Sequence, residues 1–202
     1  MAPAKFTQRK FVSVNPSKCT GCGICEYACS QEKGDSNPLL SRIRVVRMKP
    51  LFNFALACRS CEDAKCVKAC PERALSQAEG TGIISINEKK CKGCDWCVQA
   101  CDRGGITISD KGLAMACDLC GGTPQCVEFC PEEALELVAT DEEAESKFNA
   151  AVEKIPTQCD ELSVMVKSKN WKPLLADAEQ RSTKVGQKLE ALAKKSKTKK
   201  KA

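Results

Sequence analysis

The sequence predicts an α+β chain built around sulfur, with a helical extension at its C-terminal end. Three observations predict it. The 202 residues include 17 Cys and no His, and aromatic residues make up only 4%, too few for a large apolar core to do the work alone. Sixteen of the Cys fall into four rows separated by short strand-like runs. From Thr140 onward only Cys159 follows, and apolar residues recur at helical spacing.

Composition removes several classes of function. Without His there is no imidazole general base, no histidine-ligated haem or zinc and no Rieske-type cluster. A Cys content this high would suit a secreted disulfide scaffold, but the opening MAPAKFTQRKFVSVNP carries no apolar signal region. No run approaches the roughly 18 apolar residues of a membrane span; residues 51–58 come nearest, and Asn53 interrupts them. The expectation is a cytoplasmic chain without membrane insertion, in a reducing compartment where thiols bind metal. The net charge of +6 is carried by the tail at 194–202, whose six Lys (194, 195, 197, 199, 200 and 201) account for the whole excess. That tail reads as disordered and solvated, and without aromatic platforms beside it no nucleic acid is expected as a partner.

The rows carry the chemistry. Cys19, Cys22, Cys25 and Cys29 are spaced CxxCxxCxxxC, and Cys91, Cys94, Cys97 and Cys101 repeat that spacing. Cys58, Cys61, Cys66 and Cys70 follow CxxCxxxxCxxxC, and Cys117, Cys120, Cys126 and Cys130 follow CxxCxxxxxCxxxC. Three thiolates on one tight loop can grip one face of a cubane, while a fourth, expected to start a helix, points elsewhere. In two-cluster ferredoxins that fourth Cys ligates the other cluster. Four complete rows therefore predict four 4Fe-4S clusters. Structural zinc would instead use two CxxC pairs divided by a longer loop, and disulfides suit neither the spacing nor the compartment.

The flanks say which rows belong together. Between Cys70 and Cys91 the chain runs Ala74-Leu75, a turn at Glu79-Gly80-Thr81-Gly82, a strand Ile83-Ile84-Ser85-Ile86 and then Asn87, so rows two and three form one contiguous two-cluster unit at about 58–101. Row one is entered through Phe11-Val12-Ser13-Val14-Asn15 and row four leaves through Pro131 to Val138. These are the two missing flanks of a second unit, made of about 8–30 and 113–139 and wrapped around the first. The fold class predicted is a nested double bacterial-ferredoxin fold over 1–139. With ligand exchange inside each unit, the four sets are Cys19, Cys22, Cys25 with Cys130; Cys117, Cys120, Cys126 with Cys29; Cys58, Cys61, Cys66 with Cys101; and Cys91, Cys94, Cys97 with Cys70. The competing assignment pairs row one with row two and row three with row four.

Over about 11–138 the chain resembles the four-cluster ferredoxin-type subunits of anaerobic oxidoreductase complexes. The wording CEYACSQEKGDSNPLLSRIRVV, CRSCEDAKCVKACPERAL and CDLCGGTPQCVEFCPEEAL is similar to the small iron-sulfur subunits of tungsten aldehyde oxidoreductases, benzoyl-CoA reductase and carbon monoxide dehydrogenase. Ser30 and Asp102 stand where some members have Pro. The resemblance implies the same nested fold and a role as a wire between a catalytic subunit and another redox partner.

Smaller features carry expectations of their own. Arg42, Arg44 and Arg47 alternate with apolar residues in an insertion after row one, which reads as a strand whose charges protect an edge or dock an acidic partner. Trp96, between two ligands, is expected to shield its cluster from water. Gly21, Gly23, Gly93, Gly121 and Gly122 permit backbone amides to turn toward sulfur. Thr140 to Glu143 is a capping box opening a helix with Ala144, Phe148, Val152 and Ile155 on one face, stopped by Pro156. Pro173 opens a second, striped by Leu175, Ala178, Val185, Leu189 and Leu192 but weakened by Ser182 and Gly186. Residues 140–193 are expected to be a docking arm, and Cys159, between its helices, a small buried residue or a free thiol rather than a ligand.

The function expected is electron transfer without substrate chemistry. Single electrons would pass between a catalytic subunit, with a tungsten or molybdenum pterin, and soluble ferredoxin or a flavin subunit. The rivals are a free-standing polyferredoxin and a metal-dependent nucleic-acid-binding protein, the latter favoured by the Lys tail alone.

Overall fold

The computed structural model describes residues 6–48 and 52–199; Leu51 of the apolar run, Lys49 and Pro50 of the insertion and the end of the Lys tail lie outside these. Eight short strands form four antiparallel pairs. Strand β1 (Phe11–Val14) pairs with β8 (Leu135–Val138), placing Phe11 opposite Val138 and Val14 opposite Leu135. Strands β4 (Leu75–Gln77) and β5 (Ile84–Ile86) close the turn foreseen between rows two and three. The insertion forms β2 (Ile43–Met48) against β3 (Phe52–Ala57), and β6 (Ile106–Ile108) pairs with β7 (Ala114–Ala116). All four residues of β1 are buried, the polar Ser13 included.

The apolar interior divides into two main clusters that follow the cysteine rows. One joins Val12, Val14, Ile43, Ala55, Ala57, Leu119 and Leu135 to Cys25, Cys29, Cys126 and Cys130, from rows one and four. The other joins Ala64, Ala74, Leu75, Ile84, Ile106, Ala114 and Ala116 to Cys58, Cys66 and Cys97, from rows two and three. Each cluster is small, so the side chains alone bury little apolar surface. Sulfur and what it binds complete the interior.

The C-terminal part has three helices where the sequence suggested two: α5 (Asp141–Val152), α6 (Ile155–Ser168) and α7 (Lys172–Lys199). Pro156 does not stop a helix; it lies in the first turn of α6, where its missing N–H would have no partner in any case. Cys159 therefore sits within α6, exposed, as a free thiol. Helix α5 is capped as expected, Glu143 N donating to Thr140 Oγ1 at 3.3 Å, while the Glu143 carboxylate accepts from Ala139 N. Ala144 is buried against Phe11 and Val138, and the Phe148 ring meets Phe52 and Phe54 edge-on at 5.4 Å. Val152 is exposed and Ile155 half-buried, so the predicted face is only partly covered.

The Lys-rich tail also departs from expectation. Residues 194–199 continue α7 rather than forming disordered chain. Leu192 is buried with Ile24, Ala28 and Phe129, and Val185 packs against the same group. Lys195 Nζ donates to Gln125 Oε1 at 2.6 Å and to Glu128 and lies 5.2 Å from the centre of the Phe129 ring. These contacts offset the repulsion among neighbouring Lys that the sequence advertises. Leu175 and Leu189 remain exposed, so the stripe predicted on this helix is buried only toward its C-terminal end.

Candidate metal centres

Each row is a loop that runs into a helix, nine residues long in row one and a single turn of four residues in the other three rows. The third Cys sits in that helix: Cys25 in α1 (Ile24–Glu32), Cys66 in α2 (Lys65–Lys68), Cys97 in α3 (Trp96–Gln99) and Cys126 in α4 (Gln125–Glu128). The helix thus begins before the fourth Cys, not at it. Left-handed residues make the transition possible, Gly23 at φ 83° before α1 and Asp95 at φ 62° before α3. Gly93 is needed for a second reason: a Cβ there would stand 2.1 Å from the carbonyl oxygen of Gly112.

The fourth thiol of every row already receives a backbone amide. Ala74 N donates to Cys70 Sγ at 3.3 Å, Gly105 N to Cys101 Sγ at 3.2 Å and Ala134 N to Cys130 Sγ at 3.2 Å, always from four residues downstream. In row one the longer insertion shifts the donor to Arg42 N, at 3.2 Å from Cys29 Sγ. Amides aimed at sulfur favour the thiolate and lower the charge on whatever it ligates. No disulfide forms; all seventeen thiols are free.

The structure brings thiols together across rows. One cavity is lined by Cys19, Cys22, Cys25 and Cys130 together with Val45, Ala55 and Leu135. Another is lined by Cys58, Cys61, Cys66 and Cys101, with Ile84, Ile106 and Arg59 around them. Electrostatics links thiols both within these groups and between them: burial raises Cys25, and Cys126 is the first thiol neighbour to add to it. Burial pushes the Cys19 thiol up, and Cys130 and Cys22 add to the rise. Burial raises Cys66 to about 11, with Cys101 the largest neighbouring contribution. Burial also raises Cys97, beside Cys70 and Cys91, and Cys29, beside Cys120. Cys58 is pushed up to about 12, mainly by burial, with Cys66 and Cys117 adding to it. Thiols this well buried gain most from a cationic cluster that stabilises their anions. Sixteen soft donors, cavities lined by four of them and preformed N–H···S bonds fit 4Fe-4S clusters.

Charged side chains hold the loops, and here the sequence reading needed correction. The three Arg of the insertion turn toward their own chain. Arg47 Nε donates to Gly21 O at 2.8 Å while its other arm meets Glu26 at 3.0 Å, clamping the row-one loop. Arg42 pairs with Asp118, which Lys33 also meets at 2.7 Å, so the segment leaving row one is tied to the start of row four. Arg44 bonds to Pro38 O and Ser41. Trp96, expected to lie over its row, is 61% exposed.

A further group was missed. Buried Arg9 donates from Nε to Ser60 O at 3.0 Å and from Nη2 to Asp141 Oδ2 at 2.8 Å, and Arg59 meets the other Asp141 oxygen at 3.3 Å. Burial pulls the Asp141 carboxyl upward, but hydrogen bonds and charge from Arg9 and Arg59 outweigh it and hold it below the usual carboxylate value. The only sequence signal was Arg59 inside the CxxC that opens row two, and nothing there pointed to Arg9.

The strand pairings, the cross-row thiol sets and the amide-to-sulfur bonds define an iron-sulfur protein of ferredoxin type. Residues 50–141 match the 4Fe-4S dicluster domain family and residues 12–31 the 4Fe-4S binding domain family. Over 136 residues the chain is 45% identical to the "aliphatic sulfonate oxidoreductase, polyferredoxin-like subunit" of Pyrococcus furiosus, an alignment covering 65% of this chain and 79% of that protein. It is 36% identical over 143 residues to the "putative electron transport protein YsaA" of Escherichia coli, covering 64% and 89%. The structure of the benzoyl coenzyme A reductase complex BamBC with 1,5-dienoyl-CoA includes a chain 25% identical to this one, covering 79% of this chain and 97% of that one at a TM-score of 0.39. The chain belongs to the polyferredoxin-like family of iron-sulfur electron-transport proteins and is an electron-transfer subunit of the oxidoreductase type. Among the described residues no helix is long and apolar enough to cross a membrane.

Proposed function

We propose that the chain holds four 4Fe-4S clusters in a nested double-ferredoxin body over 1–139 and serves, without substrate chemistry of its own, as the wire between a catalytic oxidoreductase subunit and a second redox partner in the cytoplasm. The ligand sets are Cys19, Cys22, Cys25 and Cys130; Cys117, Cys120, Cys126 and Cys29; Cys58, Cys61, Cys66 and Cys101; and Cys91, Cys94, Cys97 and Cys70. Clusters of this kind supply reversible uptake and release of single electrons. The protein's residues hold them, exclude water with two apolar shells and direct amides at the thiolates.

One observation carries the nesting. Asn15 N donates to Ala134 O at 2.7 Å and Asn87 N donates to Ala74 O at 2.8 Å. Each bond ties the segment leading into one row to the segment leaving another, row one to row four and row three to row two. A sequential pairing of rows one with two and three with four would require neither bond. Because the Pyrococcus furiosus relative is named as a subunit of an aliphatic sulfonate oxidoreductase, the catalytic partner proposed here is an oxidoreductase subunit of that kind, with a tungsten or molybdenum pterin. Soluble ferredoxin or a flavin subunit takes the other end. Residues 140–193 act as a docking arm, supported by the exposure of Val164, Trp171, Leu174 and Leu175 on α6, α7 and the link between them.

The test is metal counting on anaerobically prepared protein. About 16 iron and 16 acid-labile sulfide per chain are expected. About eight of each, or zinc with little iron, would overturn the four-cluster reading.

A further inference from the structure

We propose that the surface formed by Cys94 and Trp96 with Lys89, Lys90 and Lys92 is the docking site for a small, acidic iron-sulfur carrier protein that exchanges electrons with this chain. The proposal rests on the four ligand sets above and assigns one end of the array to one kind of partner.

The sets have an order. Rows one and four share one apolar cluster and rows two and three share the other, while Cys117 packs against both. Ala57 belongs to the first cluster and its neighbour Cys58 to the second, so the two interior sets are the one containing Cys117 and the one containing Cys58. The terminal sets are Cys19, Cys22, Cys25 and Cys130 at one end and Cys70, Cys91, Cys94 and Cys97 at the other. Of the sixteen row cysteines, Cys22 and Cys94 alone are exposed. The array thus bares one ligand at each end.

The two ends differ in what surrounds them. Near Cys22 the chain covers itself: Arg47 spans the row-one loop, Leu192 of α7 lies on Ile24, and Lys184 reaches Glu132 beside Cys130 at 2.7 Å. Near Cys94 it does not. Residues 87–90, 92 and 94–96 are all exposed, and among the described residues no hydrogen bond or ion pair joins α5, α6 or α7 to residues 88–99. Trp96 stands 61% exposed in the middle, and a large exposed aromatic ringed by polar groups is the commonest kind of binding anchor. Lys89, Lys90 and Lys92 make no ion pair among the described residues. They outnumber Glu88 and Asp95, the acids that flank them. Positive charge beside an exposed ligand selects a partner whose own exposed edge is acidic, and steers it there. The exchange is one electron, lost by one protein and gained by the other; no bond forms or breaks and no proton need move.

The full-length protein, anaerobically prepared, is titrated with a small acidic two-cluster ferredoxin at low salt, reading binding by calorimetry and electron transfer by stopped flow. The chain with Lys89→Glu, Lys90→Glu and Lys92→Glu should bind about tenfold more weakly and lose most of the salt dependence. Trp96→Ala should bind several-fold more weakly at any salt. Lys18→Glu, beside the other end, should match the unchanged protein. All four should hold the same iron and be reduced equally fast by a small-molecule reductant. Binding that survives the triple charge reversal, or that Lys18→Glu weakens instead, overturns the proposal, as does a wild-type protein that fails to bind the ferredoxin. Iron well below about 16 per wild-type chain would instead sink the four-set reading, and the binding titration would still decide whether this surface docks the carrier.

Discussion

The backbone N–H of Asn15 meets the carbonyl of Ala134 at 2.7 Å, joining the segment that enters row one to the segment that leaves row four, with all four rows between them in the chain. Ala134 also donates its own N–H to Cys130 Sγ, so a single residue fixes both the row-four thiol and the strand that brings row one beside it. Cys130→Ser should therefore disturb the set completed by Cys19, Cys22 and Cys25. Iron should fall by up to about four per chain, with the spectra of the other sets retained. Loss of a set held by rows two and three would favour the sequential pairing.

What could be read from the sequence was whatever local chemistry decides. Cysteine spacing, the turn at 79–82, the strand expected at 83–86 and found at 84–86, and the capping box at Thr140 all depend on neighbours within a few residues. Features decided at long range were not readable. The Arg residues of the insertion find Gly21, Glu26 and Asp118 only after the rows have folded, and the Lys run at 194–199 is helical because Gln125, Glu128 and Phe129 lie beneath Lys195. The exposure of Trp96 was not legible because a position between two ligands does not say which way the side chain faces. Pro156 was misread because a proline that ends one helix and a proline that begins the next look alike in sequence.

Two glycines should respond oppositely to the same change. Gly93→Ala places a methyl 2.1 Å from Gly112 O at a residue with φ 64°, and no flexible side chain is there to yield. The set of Cys91, Cys94, Cys97 and Cys70 should fail to assemble, lowering iron by about four. Gly186→Ala meets open space within α7, so it should stabilise the protein by about 0.5–1 kcal/mol. Iron analysis checks the first and thermal unfolding the second.

Asp141 pins α5 to Arg9 and Arg59, and Arg9 in turn holds the loop between Cys58 and Cys61. Asp141→Asn should speed loss of the visible cluster absorbance, by about 1 kcal/mol or less for groups this accessible. Its sign with pH follows from the lowered native pKa. Stability from such a group is fully present above its unfolded value, about 3.9, and is lost only as pH falls through the lower folded value. The difference between variant and wild type should hence stay constant from pH 8 to pH 5. A gap that closes across that range would show that Asp141 is not the group held low by its two arginines.

Removing the C-terminal helices tests whether they are only an arm. Sequence alone suggests that truncation after Val138 leaves iron near normal, but α7 lies on the helices that carry Cys25, Cys29 and Cys126. Leu192 covers Ile24, Ala28 and Phe129, and Phe148 of α5 covers Phe52 and Phe54. Uncovering these side chains forfeits several kcal/mol at about 25 cal/mol per Å² and opens rows one and four to water and oxygen. Truncation after Val138 should therefore cost the row-one and row-four sets first, on exposure to air, while the sets of rows two and three, which lose the Asp141 tie to Arg9 and Arg59, persist longer. Truncation after Ala193 keeps Leu192 and Val185 and removes only Lys195 and its neighbours, a change of about 1 kcal/mol, so iron should stay near normal. Equal retention of all sets after the longer deletion would show that the exposed stripe at Leu174 and Leu175, rather than the buried contact at Leu192, is what the helices are for.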